Sequence, residues 1–249
     1  MLLTSVLSAF YPGLYGKELR AQLLTLASQN QNVMSYDEVR LHMYSSIYNN
    51  ASNLVTCVYS GSELYFKFGS DNPNVSEDLN CEHTVPQSFF NKELPMRSDL
   101  HHLRPTWKIA NSGRSNSPFN SINEMSVDKY YGKNKTVTTK KPTDPENWSK
   151  LDGGNAFEVR DMQKGDTARA VAYFFVRYPT QAGPITMTFT DIDNMIKWDN
   201  EHPPTDLQME YYEKVVEIQR NINPFQEEAG LVARAYCDMS TKYPCSKFM

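Results

Sequence analysis

Between Leu79 and Phe119 the chain concentrates residues that packing alone does not call for. Three segments carry them: LNCEHTVPQSFF (79–90), SDLHHLRPTW (98–107) and KIANSGRSNSPF (108–119). In the first, Glu82 and His83 are adjacent, so a regular strand would point them to opposite faces. At a strand end or a bulge both can serve one site. A carboxylate such as Glu82 is a hard oxygen ligand for Mg²⁺ or Ca²⁺. A neutral imidazole with an ordinary pKa of ~6.5 is a natural proton acceptor near neutral pH. Taken alone, His83 is more often a structural histidine than a catalytic one.

His101 and His102 follow in the second segment, between Asp99 and Pro105. If that run is extended, one faces in and the other out. The spacing is not HExxH and no third zinc ligand is evident. In the third segment, the amide oxygen of Asn111 can ligate a hard cation without neutralising it. Arg114 is placed to grip a phosphate through its planar fork. The plainer reading of NSGRSNSP is a polar turn.

The order of these pieces matters more than any one of them. A strand with Glu-His, a turn, a second strand with His and then a helix with Asn is the layout of a ββα-metal finger spanning about 79–119. The flanking sequence must supply the frame. Lys17–Ser28 has Leu19, Leu23, Leu24 and Leu26 on one helical stripe, and Ser35 with Glu38 forms a capping box opening a helix that continues through Tyr44 and Ile47. Leu54–Tyr59 and Glu63–Phe68 are expected as strands joined through Ser60-Gly61. Asp71–Asp78 is a polar loop, and the lysine-rich 120–155 is expected as surface strand or loop. Asp166–Tyr178 reads as a core helix and Thr190–Trp198 as a shorter one. Thr205 with Gln208 opens a last helix stopped near Pro224. The expected fold is α+β, a single domain over 1–249. Its ββα-metal finger core has short antiparallel strands, flanked by helices from both ends of the chain.

Composition bounds the answer. At 249 residues and 40% hydrophobic, the chain can bury roughly three quarters of its unfolded surface. Its 30 aromatics, 15 of them Tyr, argue against wholesale disorder. No apolar run approaches the ~20 residues of a membrane span. The net charge of −4 hides an asymmetry. From Arg97 to Lys141, nine Lys/Arg face three acids, while Asp191–Glu228 holds ten acids and three bases. A basic centre beside an acidic tail can focus a polyanion. Cys57, Cys81, Cys237 and Cys245 form no CxxC pair; they fit two disulfides in one of three connectivities, or four buried thiols. The apolar MLLTSVLSAF start, as the worn end of a signal peptide or an ordinary buried segment, and four sequons at Asn50, Asn74, Asn134 and Asn147 point weakly to export, secreted or periplasmic.

Residues 79–119 closely resemble the endonuclease I family of secreted and periplasmic nucleases. EH-x-x-P-x-x-x-F is matched by Glu82 to Phe90, S-D-[LM]-H-[NH]-L-x-P by Ser98 to Pro105, and V-N-x-x-R-x-N by Ala110, Asn111, Arg114 and Asn116, with Ala in the first place. A weaker likeness extends to Gly165-Asp166-Thr167-Ala168-Arg169, Trp198 and Gln219–Phe225. The resemblance implies a sugar-nonspecific endonuclease acting on DNA and often RNA, leaving 5′-phosphate and 3′-hydroxyl ends. It implies His83 as general base, and Glu82 and Asn111 as ligands of one Mg²⁺-like ion, with Ca²⁺ or Mn²⁺ as substitutes. Some relatives carry a phosphate-binding arginine in a cysteine-rich insertion that this chain lacks. Arg97 is the first substitute, then Arg114 and Arg104. Lys108 joins Arg104 as an expected substrate contact, and His101 and Asn116 are supporting residues. The expected partner is the phosphate backbone of DNA and RNA; no membrane and no obligate protein partner are expected of a monomer. The rival readings are a catalytically inactive nucleic-acid-binding homologue, a zinc hydrolase and an adhesive secreted domain.

Overall fold

In the computed structural model, which describes residues 10–67, 69–74, 76–182 and 189–248, short antiparallel sheets sit among helices. The fold is α+β. Helix α1 (Gly16–Ser28) buries Leu19, Leu23 and Ala27, one side chain per turn. Leu24 and Leu26 of the expected stripe are only partly buried at its edge. Helix α2 (Tyr36–His42) opens on the expected capping box: Glu38 N donates to Ser35 Oγ at 3.3 Å, and Ser35 N donates to the Glu38 carboxylate at 2.8 Å. A π turn, Met43–Ile47, continues it and buries Met43, Tyr44 and Ile47.

Strands β1 (Leu54–Thr56) and β2 (Glu63–Tyr65) pair as expected but are shorter. Beyond Thr56 the chain leaves the ladder, because Gly61 N closes a turn on the Cys57 carbonyl and Val58 N donates to the Pro105 carbonyl. Phe68, at the end of the second expected strand, lies outside the described residues, as does most of the apolar amino terminus.

The finger forms where expected. Strand β3 (Leu79–His83) pairs antiparallel with β4 (Leu103–Trp107), with Glu82 opposite Arg104 and His83 opposite Leu103. Helix α3 (Lys108–Arg114) follows directly and packs on both strands. The expectation that one of His101 and His102 faces outward is corrected. Both lie in a 3₁₀ turn, Leu100–His102, capped by Asp99, whose carboxylate accepts from His101 N at 3.0 Å, and both are buried.

The lysine-rich segment supplies strands β5 (Lys129–Gly132), β6 (Thr136–Thr138) and β7 (Ser149–Asp152), which with β8 (Ala156–Glu158) form a sheet of order β6-β5-β7-β8. Helix α4 (Asp161–Arg177) starts five residues before the expected Asp166 and is buried through most of its length. It packs on α1 and on α5 (Ile192–Glu201), whose N-cap Asp191 accepts from Asp193 N and Asn194 N. Helix α6 (Asp206–Gln219) opens on the expected Thr205–Gln208 box. It stops at Arg220, which takes a left-handed conformation (φ 74°) four residues before Pro224. Short helices Pro224–Glu227 and Leu231–Tyr236 follow. One hydrophobic cluster joins Leu19 to Tyr236 through all of these elements except β6.

Both cysteine expectations are corrected. Cys237 and Cys245 form a disulfide, while Cys57 and Cys81 are buried free thiols. The Cys57 sulfur accepts from Trp107 N at 3.0 Å and is thereby tied to β4. No helix among the described residues is long and apolar enough to cross a membrane.

Candidate active site

The end of β3 is held by one arginine. Arg114, in the last turn of α3, donates from Nη1 to Glu82 Oε1 at 2.7 Å and to the His83 carbonyl at 3.2 Å. Its Nη2 donates to the Thr84 carbonyl at 3.0 Å and its Nε to the Ser117 carbonyl at 3.1 Å. Phe119 lies under the guanidinium, 4.3 Å from carbon to ring centroid. Arg114 is 1% exposed, so its donors are spent inside the protein. Arg104 is spent likewise: Nε and Nη2 donate to the two Asp166 oxygens at 2.6 and 2.8 Å.

His83 closes β3. Its Nε2 lies 3.0 Å from the Arg97 carbonyl oxygen. That oxygen can only accept, so Nε2 carries the proton and Nδ1 keeps its lone pair. The ring packs against Tyr36, Phe90 and His102 and is 4% exposed. Burial is the main cause that pulls its pKa down to about 3, with His102 adding to it and the Arg97 carbonyl opposing. The ring is thus neutral at physiological pH, as the sequence suggested, but by desolvation rather than by an ordinary pKa. The same shift makes it a weaker base.

Glu82 is 3% exposed, and burial raises its pKa against the opposing charge of Arg114. Asn111 donates from Nδ2 to the Cys81 carbonyl at 3.4 Å, one residue before Glu82, which leaves its amide oxygen without a partner among the described residues. One carboxylate and one amide oxygen are the donor chemistry that a hard divalent cation prefers. No group of three or more His, Cys, Asp or Glu able to hold a metal occurs among the described residues.

Arg97 is half-buried. Its guanidinium lies 4.3 Å above the Tyr36 ring, and its Nε is buried without a partner among the described residues. It forms no ion pair among the described residues. Lys108 and Asn116 are exposed at the two ends of α3. Of the nine cations in the basic stretch, Arg104, Arg114, Lys135 and Lys141 are paired with carboxylates, so the free positive charge is smaller than the sequence count suggests.

His101 stands behind the site rather than in it. Its Nε2 donates to the Asn221 carbonyl at 3.0 Å. Asp99 beside it accepts from Tyr173 and Tyr178 hydroxyls at 2.8 and 2.6 Å and from Gln219 Nε2 at 2.8 Å. Burial disfavours the Asp99 charge, but His101, His102 and these donors outweigh it and hold its carboxyl below the usual range. The 165–169 and 219–225 motifs therefore act as the frame of the finger: Asp166 holds Arg104, while Gln219 and Asn221 hold the Asp99–His102 turn. Tyr173 and Tyr178 were missed at the sequence level, since helical periodicity marks them only as core.

A two-stranded hairpin closed by a helix, with Glu-His ending one strand and Asn on the helix, places the site in the ββα-finger class. The chain belongs to the Endonuclease I family, which it matches over residues 15–230. It is 26% identical over 236 residues to a protein of Bacillus subtilis (strain 168) named extracellular ribonuclease, covering 87% of this chain and 74% of that one. A protein of the same name from Bacillus amyloliquefaciens is 28% identical over 163 residues, 59% of this chain and 50% of the relative. The match thus spans half the length of the second relative.

Proposed function

We propose that the protein is a secreted, metal-dependent endonuclease that cleaves DNA and RNA without sequence preference, leaving 5′-phosphate and 3′-hydroxyl ends. The observation that carries this reading is the bond from His83 Nε2 to the Arg97 carbonyl. It fixes the tautomer, leaving Nδ1 as the atom that takes a proton from the attacking water. Neutrality suits the task, because a carboxylate base would add an anion beside the phosphate. Glu82 and Asn111 are the residues that would hold a Mg²⁺-like ion, and such an ion, when bound, supplies positive charge to the nonbridging phosphate oxygens. Arg97, with a free guanidinium, is the phosphate contact. Arg114 positions Glu82 and His83 instead of touching substrate. Contacts to phosphate orient a strand without reading its bases, which is the basis of the nonspecificity. Export is carried over from the extracellular relatives.

The near-complete burial of Glu82 and His83 favours a second reading, an inactive nucleic-acid-binding homologue. One experiment separates them. Wild-type protein should nick supercoiled DNA and cleave RNA with Mg²⁺ and stop with EDTA. His83→Ala should lower the rate by ~10²–10⁴ with circular dichroism unchanged. Equal rates for the two proteins, or none for either, would reject the endonuclease.

A further inference from the structure

A cavity of about 920 Å³ opens beside the finger, yet none of Glu82, His83, Arg97 or Asn111 lines it. This volume is within the range of small-molecule sites. Its link to the finger is Arg104, which stands opposite Glu82 in the β3–β4 register and turns its guanidinium to Asp166 at the cavity wall.

Arg160 and the stem of Lys133 both lie against Gly61 in the cavity wall. Gly61 has φ +68°, and a Cβ there would lie 2.9 Å from Arg160 Nη1 and 3.4 Å from Lys133 Cγ. Arg160 is 9% exposed. Its Nε donates to the Val58 carbonyl at 2.8 Å and its Nη1 faces the Met162 sulfur at 3.0 Å. Arg160 has no carboxylate partner among the described residues; Lys133 forms no ion pair among them, and the acid on which its charge acts, Asp144, is not part of the cavity lining. The buried acid nearest in the wall, Asp166, is already held on both oxygens by Arg104, and the remaining acid, Glu63, is exposed on β2. A buried guanidinium with no carboxylate partner is costly unless an anion joins it. Burial indeed pulls the Arg160 pKa down.

The lining also carries an aromatic and apolar flank. Tyr48 and Tyr211 pack with ring centroids 4.6 Å apart, and Leu207, 53% exposed, extends the same flank. Gln163, also in the lining, donates its amide to Asp166 at 2.5 Å. An aromatic flank, an amide and two basic side chains in the wall of one cavity match a ring joined to a phosphate. We propose that this cavity is a noncatalytic nucleotide site, which seats a phosphate on Arg160 and Lys133 and a base against Tyr48 and Tyr211. The occupant is a nucleoside monophosphate, either free or as one unit of a strand. The proposal extends the endonuclease reading without depending on catalysis.

The test is calorimetric titration of full-length His83→Ala protein in EDTA with adenosine 5′-monophosphate, inorganic phosphate and a 5′-phosphorylated hexanucleotide. The monophosphate should bind saturably and more tightly than inorganic phosphate. Tyr211→Ala in that background should weaken it on the order of tenfold, as loss of one stacking ring does. Lys133→Gln should weaken it several-fold and flatten its salt dependence. Both positions are at least partly exposed, and circular dichroism verifies the fold. A hexanucleotide binding more tightly than the monophosphate shows that the site holds a strand; equal affinity shows a free-nucleotide site. The proposal falls if no monophosphate binds at millimolar concentration, if inorganic phosphate binds equally well, or if neither substitution alters binding. With His83 and metal both removed, loss of the endonuclease reading leaves these outcomes unchanged.

Discussion

Arg114 Nη1 lies 2.7 Å from Glu82 Oε1, with the two side chains 1% and 3% exposed. The pair is the point where α3 is fastened to the end of β3. Removing one partner of a buried pair strands the other charge, at a cost of about 3–5 kcal/mol. Arg114→Ala should therefore shift the urea unfolding midpoint strongly downward. Unchanged stability together with weaker substrate binding would place Arg114 on the phosphate instead.

Arg97 has the complementary profile: a free guanidinium over Tyr36, and a backbone carbonyl that holds His83. Only the side chain is lost in Arg97→Ala, so the tautomer of His83 should persist. Cleavage at low substrate should fall about tenfold, and the salt dependence of binding should lose close to one unit of slope, as for a single phosphate contact. An unaltered slope would remove Arg97 from the substrate path.

The finger was legible because its chemistry is local. Glu82 and His83 on β3 and Asn111 on α3 fall within 30 residues, and the two capping boxes are set by residues three apart. What sequence could not assign was which guanidinium is free. Arg104 and Arg114 look like phosphate ligands until Asp166, 62 residues away, and Glu82, 32 residues away, are seen to occupy them. The burial of His101 and His102 was hidden for a similar reason. Their 3₁₀ turn depends on Asp99, whose charge is satisfied by Tyr173, Tyr178 and Gln219 from distant helices. The surface assignment of 120–155 missed Tyr130 and Tyr131, which are buried in β5.

Gly165 offers a case where local and tertiary preferences oppose each other. It lies inside α4, where alanine would ordinarily gain about 1 kcal/mol. A Cβ at this position would run into the His202 carbonyl, which also accepts from Arg169 Nη1 at 3.0 Å. Gly165→Ala should thus destabilise, by about 1–3 kcal/mol as overpacking does, in urea unfolding. A more stable variant would show that α4 and the His202 turn can separate at no cost.

His102 makes acid sensitivity predictable. It is fully buried, with Nε2 donating to the Met96 carbonyl at 2.7 Å and Nδ1 without a partner among the described residues. Burial, against the pull of Asp99, lowers its pKa from 6.5 to about 4. Between those values the unfolded chain binds a proton that the folded ring refuses. The stability that depends on His102 therefore falls as pH drops from 6.5 to 4, by about 1.4 kcal/mol per pH unit, and levels off below that window. His83, lowered to about 3, adds a parallel loss that runs on to lower pH. Asp99 does not contribute here: its pKa is depressed, so its stabilisation is intact above the ordinary carboxylate value and is lost only below it. Urea unfolding of wild type and His102→Phe at pH 7, 6, 5 and 4 isolates the effect. The variant should lose less stability per pH unit, by close to one proton's worth, whatever its stability at pH 7. Identical slopes would mean that His102 takes up its proton in the folded protein as readily as in the unfolded chain, and the closed packing of the Asp99–His102 turn would have to be abandoned.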